Sequence, residues 1–220
     1  MSVFPRPLAA VLFDLDGVLT DTAQAHYVAW KRLADTLGIP FDAAANEALK
    51  GVDRMGSLDL ILARGDRAVG DAERSDLAAR KNLWYLEAIA GFSPDDLFPG
   101  ARAALEAVRA AGLGTALASA SRNAPALLER MRIADLFDVV VDPASVAHGK
   151  PAPDIFLAAA AALGVDPALC LGVEDAPAGI AAIHAAGMLA LGIGTRAALP
   201  AADAILAGIA DFRLDAYHAG

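Results

Sequence analysis

The feature that most constrains this chain is a rhythm of short, almost wholly apolar runs. They recur at Ala9–Phe13, Gly114–Ala118, Val139–Val141, Leu169–Val173 and Leu189–Ile193. Runs of that length with no in–out alternation are the pattern of strands covered on both faces, as in a parallel sheet. Between them lie segments with helical punctuation. Ala101–Ala111 ends at Gly112, Pro153 opens a stretch that runs to Leu163 before Gly164, and Pro177–Ala186 ends at Gly187. Proline suits a first turn, where its missing N–H costs nothing, and glycine suits the position past a helix end, where φ turns positive. Asn123 is placed to cap the helix carrying Leu127, Leu128 and Met131. From residue 99 on, helix and strand alternate. That order predicts an α/β fold with a Rossmann-like parallel sheet and right-handed crossovers.

Residues 22–90 break the rhythm. They follow the first strand, contain no buried-strand pattern, and read as four helices: Thr22–Leu37, Asp42–Leu49, Ser57–Ala63 and Asp71–Ile89. Trp30, Leu33 and Leu37 share one face of the first, with His26 one turn ahead of Trp30. Trp30 and Trp84 are expected in the core of this insertion. The expected organisation is therefore a core of residues 1–21 plus 91–220 and an inserted all-α helical cap, 22–90. The cap would lie over the C-terminal edge of the sheet, where open α/β sheets bind ligands. Hinges are expected near Gly17–Thr22 and Ala90–Pro94.

Composition excludes several classes. Hydrophobic residues make up 56% and mean hydropathy is +0.45, but 54 of the 220 residues are alanine. The longest unbroken apolar run, Ile155–Leu163, has nine residues, too short for a hydrocarbon layer about 30 Å thick. The first residues reach carboxylates before any cleavage-site pattern, so neither a signal peptide nor an anchor is expected, and a cytoplasmic location is. A net charge of −9 and a pI near 4.8 argue against a nucleic-acid partner, which would need clustered Lys and Arg. A small anionic substrate stays open, because a few local cations and a metal override the global field. No membrane partner and a monomer are expected. The one cysteine, Cys170, rules out an internal disulfide and a cysteine-based zinc site; it reads as a small buried hydrophobe.

Four motifs carry chemistry. In Val11-Leu12-Phe13-Asp14-Leu15-Asp16-Gly17-Val18, two carboxylates two residues apart leave an apolar strand on the same side, and Gly17 permits a sharp turn. In Leu117-Ala118-Ser119-Ala120-Ser121-Arg122-Asn123, a small-residue loop enters a helix, where N–H groups and a hydroxyl hold an anion. Lys150 stands before Pro151 and a helix. Gly172-Val173-Glu174-Asp175 puts adjacent acids at a strand end, where mutual repulsion calls for a cation. Each alone has a plainer reading: a capped turn, a helix cap, a solvated lysine, acids favoured by a helix dipole.

Taken in order, the four resemble the haloacid dehalogenase superfamily of phosphoryl-transfer enzymes over nearly the whole chain, with the helical insertion matching that superfamily's cap. Within it the chain resembles the β-phosphoglucomutase family. The likeness lies in Phe13–Val18, Leu49-Lys50-Gly51-Val52-Asp53-Arg54, Ala118–Ser121, Gly149-Lys150-Pro151-Ala152-Pro153-Asp154, His26 with Trp30, and Arg80-Lys81-Asn82. Arg122 stands where that family is expected to have Lys. Pro177 stands where these mutases often have Gln, a version shared with related sugar-phosphate phosphatases.

The resemblance implies Mg²⁺-dependent interconversion of β-glucose 1-phosphate and glucose 6-phosphate through a bisphosphate. It implies Asp14 as nucleophile and Asp16 as general acid and base. It implies Asp14, the Asp16 carbonyl, Glu174 and Asp175 as metal ligands, and Ser119, Ala120 and Lys150 around the transferring phosphate. Ser121, Arg122, Asn123 and Arg54 would hold the distal phosphate, and Lys50 with Gly51 would meet the sugar. His26 and Lys81 would link the cap to Asp16, with Trp30 beside them on the substrate side of the cap, although outside the resemblance Lys81 reads as solvated. His148 and His184 are expected to be bland, with no carboxylates around them. A sugar-phosphate phosphatase is the alternative enzyme. A phospho-metabolite sensor is the non-enzyme alternative, disfavoured because Asp14 and the acid pair are intact.

Overall fold

The computed structural model describes residues 7–65 and 68–217. Residues 1–6, on which the expectation of no leader partly rests, lie outside the described residues. The five apolar runs are strands: β1 (Ala10–Phe13), β2 (Gly114–Leu117), β3 (Val139–Val140), β4 (Cys170–Glu174) and β5 (Leu189–Ile193). A sixth, β6 (Ala204–Leu206), joins the edge beyond β5. It is three half-buried residues long, too short to show a period. Among the described residues eight α-helices accompany them: α1 (Ala23–Thr36), α2 (Ala43–Glu47), α3 (Arg54–Leu62), α4 (Asp71–Ala88), α5 (Ala101–Ala110), α6 (Ala124–Arg130), α7 (Asp154–Leu163) and α8 (Pro177–Ala185).

The sheet is parallel throughout, in the order β3-β2-β1-β4-β5-β6. Phe13 pairs with Leu117 on one side and Val173 on the other. The residues that follow these three therefore emerge together at the C-terminal edge, beside the β1/β4 switch point where the strand order reverses.

Both faces of β1 are buried, with Val11 and Phe13 on one side and Ala10 and Leu12 on the other. The first side packs large residues, among them Leu105, Leu127, Met131 and Phe212. The second is alanine-rich: Ala116 and Ala118 of the sheet segment meet Ala159 and Ala160 of α7 and Ala182 of α8. Small side chains let those helices lie close to the sheet, and this is where much of the alanine behind the high hydropathy goes. Among the described residues, no helix is long and apolar enough to cross a membrane.

Helices α1–α4 enclose their own apolar cluster, built on Trp30, Leu33, Leu58, Ile61 and Leu77. The third helix starts three residues earlier than its hydrophobic pattern suggests. Asp53 accepts hydrogen bonds from the N–H groups of Met55 (2.8 Å) and Gly56 (3.1 Å), an N-cap worth about 1 kcal/mol that makes Arg54 the first helical residue. Ala29, Tyr85 and Ile89 join the large-residue cluster of the sheet instead, and Trp84 packs against both clusters. The two chain segments linking these helices to the sheet run side by side. Thr20 pairs antiparallel with Leu97, Phe98 N–H donates to Leu19 O (2.9 Å), and the Thr20 hydroxyl donates to Asp96 O (2.7 Å).

Candidate active site

Immediately after β1 the chain makes one tight turn. Leu19 and Thr20 N–H return to Leu15 O, and Gly17 N–H donates to Thr20 O. Gly17 has φ +79°, and a methyl group there would fall 2.1 Å from Oδ2 of Asp175. Glycine thus serves twice: it takes the left-handed backbone and lets the Asp175 carboxylate touch the turn. Asp14 is buried, and Asp16 accepts a short hydrogen bond from the Thr22 hydroxyl.

Lys150 reaches this turn from the loop before α7. Its ammonium, fully buried, lies 2.6 Å from Asp14 Oδ1 and 2.6 Å from Glu174 Oε1. Burial alone would lower its pKa; Asp14 and Glu174 outweigh that and hold it raised. The other Glu174 oxygen accepts from Ala176 N–H at 2.7 Å. Glu174 was expected as a metal ligand. Both its oxygens are engaged and it does not line the cleft, so here it holds the lysine.

Four carboxylates, with Lys150 as their ion-pair partner among the described residues, leave the group rich in negative charge. Burial, then Asp14, raises Asp16 to about 7. Burial, then Glu174 and Asp14, raises Asp175 to about 8. Among the described residues, no three Asp, Glu, His or Cys side chains form a metal cluster. The donors that fit a hard divalent cation are Asp14 and Asp175 with the Asp16 main-chain carbonyl, a mixed oxygen set.

A cavity of about 330 Å³ opens over this turn, between the sheet edge and α1–α4. Asp14, Asp16, Asp175, Ser119, Ala120, Ser121, Arg122 and Asn123 line it from the sheet side, and His26, Trp30, Lys50, Gly51, Arg54 and Lys81 from the helical side. Fourteen of the sixteen candidate residues thus share one cleft; Glu174 and Lys150 sit behind its floor. A second cavity, about 400 Å³, lies beyond Arg54 and Arg122 and is also lined by Asp53, Gly149 and Lys150.

Within the cleft, Ser119 is buried and accepts from Ser121 N–H (3.1 Å), while Ala120 N–H has no acceptor among the described residues. Asn123 does not cap α6 with its side chain. Its amide donates to Asn82 Oδ1 at 2.9 Å, tying α4 to the sheet edge. Lys50 pairs with Glu47 at 2.8 Å. Burial, then Arg122, lowers Arg54, and neither arginine has a carboxylate partner among the described residues.

Lys81 is buried, contrary to the solvated reading of its polar run. Its ammonium lies 3.0 Å from His26 Nδ1, 4.5 Å above the Trp30 ring and 4.7 Å from that of Tyr85. Burial, then Arg54, lowers it to about 7; burial, then Lys81, also lowers His26. The His26 Nε2 and Tyr85 Oη atoms have no hydrogen-bond partner among the described residues. The sequence marks Thr22 only as a helix start and hinge position and gives Tyr85 no role in the site, since neither carries a motif. His148 and His184 do each have one carboxylate, Asp154 at 3.2 Å and Asp203 at 3.0 Å, but neither lines the cleft.

Comparison with known proteins agrees with this geometry. Residues 8–187 match the family model described as haloacid dehalogenase-like hydrolase. The chain is 46% identical to a β-phosphoglucomutase of Bacillus subtilis over 96% of its own length and 94% of the relative's. It is 33% identical to a fructose-1-phosphate phosphatase of Escherichia coli, covering 84% of this chain and 96% of that one. A crystal structure of β-phosphoglucomutase from Clostridium difficile superposes with a TM-score of 0.93 at 38% identity, covering 96% and 97% of the two chains. By motif, by topology and by likeness along nearly its whole length, the chain belongs to the haloacid dehalogenase-like hydrolases and, among them, to the β-phosphoglucomutase family.

Proposed function

We propose that the protein interconverts β-D-glucose 1-phosphate and D-glucose 6-phosphate through glucose 1,6-bisphosphate. The observation that carries this is the pair Arg54 and Arg122, without carboxylate partners among the described residues, in the wall of the same cavity as Asp14. Water as acceptor needs one phosphate site. A sugar phosphate needs a second, which two guanidinium groups fit bidentately.

Asp14 is the nucleophile that takes the phosphoryl group, and Asp16 passes a proton to and from the sugar hydroxyl. A pKa near 7 suits both directions of that transfer. Lys150 aims Asp14 and offsets its repulsion of phosphate. Ser119 and Ala120 N–H receive the transferring group; Ser121, Arg122, Asn123 and Arg54 hold the other phosphate; Lys50 and Gly51 meet the sugar. His26, Trp30 and Lys81 set the place of Asp16 from the helical side. Asp14, the Asp16 carbonyl and Asp175 would hold Mg²⁺, which when bound neutralises the excess charge and polarises the phosphoryl oxygens.

Residues 22–90 are proposed to act as a cap domain on a core of 1–21 and 91–220, a division supported by the separate apolar cluster of α1–α4. A cytoplasmic monomer is the proposed working form. The test is incubation with β-glucose 1-phosphate, Mg²⁺ and a trace of glucose 1,6-bisphosphate, followed by phosphorus NMR. Glucose 6-phosphate is expected; inorganic phosphate alone overturns the reading in favour of a phosphatase.

A further inference from the structure

Besides the hydrogen bond from Asn123 to Asn82, the helical segment meets the sheet edge at two glycines. At Gly51 a methyl group would fall 3.1 Å from Ala176 Cβ, so the loop before α3 rests on the turn into α8. At Gly149, just ahead of Lys150, a methyl group would fall 2.8 Å from Asp53 Oδ2. Gly149 lies outside the left-handed region, so space rather than backbone conformation demands a glycine there. Asp53 cannot swing aside at no cost, because its other oxygen caps α3 through Met55 and Gly56 N–H. One carboxylate therefore starts the helix that presents Arg54 and abuts the residue next to the lysine of Asp14. The second cavity begins at this contact, bounded by Asp53, Arg54, Gly149 and Lys150. Lifting the cap at this point would let water approach the Asp14–Lys150 pair from that side.

We infer that the contact of Asp53 with Gly149 sets how far the cap closes, and thereby how the phosphoryl group on Asp14 is shared between sugar and water. The inference rests on the mutase reading above. In either fate the attacking oxygen forms a bond to phosphorus as the bond to the Asp14 oxygen breaks. The carboxylate leaves with that electron pair, and the proton of the attacking O–H passes to Asp16. Asp53 and Gly149 touch no reacting atom and are positioning residues.

The test uses Gly149→Ala, the double variant Gly149→Ala with Asp53→Ser, and Asp53→Glu. Serine keeps a capping oxygen but is shorter, so the new methyl group fits beside it. Two quantities are read: the ratio of inorganic phosphate to glucose 6-phosphate formed, and the deuterium exchange of amides 50–56. Gly149→Ala is expected to raise the ratio roughly tenfold and to speed exchange. The double variant is expected to return both towards the parent. Asp53→Glu, with Gly149 untouched, is expected to move both in the direction of Gly149→Ala, and it carries the test if that variant fails to fold. A Gly149→Ala protein that matches the parent, a double variant no better than the single, or an Asp53→Glu protein that matches the parent overturns the inference. If the parent releases only phosphate, the mutase reading falls. Exchange then decides the contact alone: recovered protection in the double variant supports it, and none overturns it.

Discussion

Lys81 places its ammonium 3.0 Å from His26 Nδ1 in a buried pocket between α1 and α4, with no carboxylate in ion-pair reach among the described residues. Burial, then Arg54, lowers its pKa from 10.5 to about 7. Between those values the unfolded chain binds a proton that the folded chain does not, so stability rises with pH across that window. Asp16 and Asp175, at about 7 and about 8, are largely ionised in both states above pH 8.5 and add little slope there, whereas burial of the Cys170 thiol, raised from 9.0 to about 11, adds a slope of opposite sign. Urea unfolding at pH 8.5 and 9.5 is expected to show the Lys81 contribution as a gain of up to about 1.4 kcal/mol in the parent, partly offset by Cys170. Lys81→Met is expected to lose most of that gain.

Lys150 lies between two buried carboxylates, Asp14 and Glu174. Lys150→Ala leaves both without their cation, and removal of one partner from a buried pair costs about 3–5 kcal/mol. Unfolding at pH 7 is expected to show a loss of that order. The loss is expected to shrink at pH 5, where the orphaned carboxylates can take up protons. Turnover is expected to fall below detection at both pH values.

The raised Asp175 and Asp16 make cation binding a proton-linked event. Near pH 7 these acids hold protons that a bound Mg²⁺ displaces. Titration of Mg²⁺ into weakly buffered protein is expected to release protons at pH 7 and nearly none at pH 9.5. Asp175→Asn is expected to weaken Mg²⁺ binding and reduce the release. Nearly no release at pH 7 in the parent would show that the two acids are already ionised.

Arg54 lines the same cleft as Asp14, from the first position of α3. Arg54→Ala is expected to cut glucose 6-phosphate formation by about 2–4 kcal/mol in kcat/KM, the scale of a charge-assisted bidentate contact. Hydrolysis of acetyl phosphate, which has no second phosphate to clamp, is expected to stay within a few-fold of the parent. Steady-state kinetics on both substrates separates the two effects.

The β1 turn, the Ser119 loop and the acid pair are legible because each ends an almost wholly apolar strand, and strand ends of one parallel sheet converge. The start of α3 is not, since an aspartate cap replaces the apolar period that would have marked it, and so the part Asp53 plays goes unread. Glu174 and Asp175 are neighbours in sequence, and only the fold shows that one turns inward to Lys150 while the other faces the cleft. Lys81 lies in a run of polar residues that looks solvated. Its burial depends on Trp30 and Tyr85 packing around it from two helices, information spread over fifty-five residues of chain separation between His26 and Lys81. Asn123 looked like a cap by type and position; a partner on α4, distant in sequence, claimed its amide.

The zipper formed by Thr20 with Leu97 and by Leu19 with Phe98 brings the departure and return of the inserted helices to one doorway. From the viewpoint of the sheet, the insertion spans a gap no wider than a pair of neighbouring strands. A roof attached that way can be exchanged as a cassette, longer or shorter, without altering the register of any strand beneath it. Substrate choice can then diverge among relatives while the phosphoryl-handling floor stays as it is.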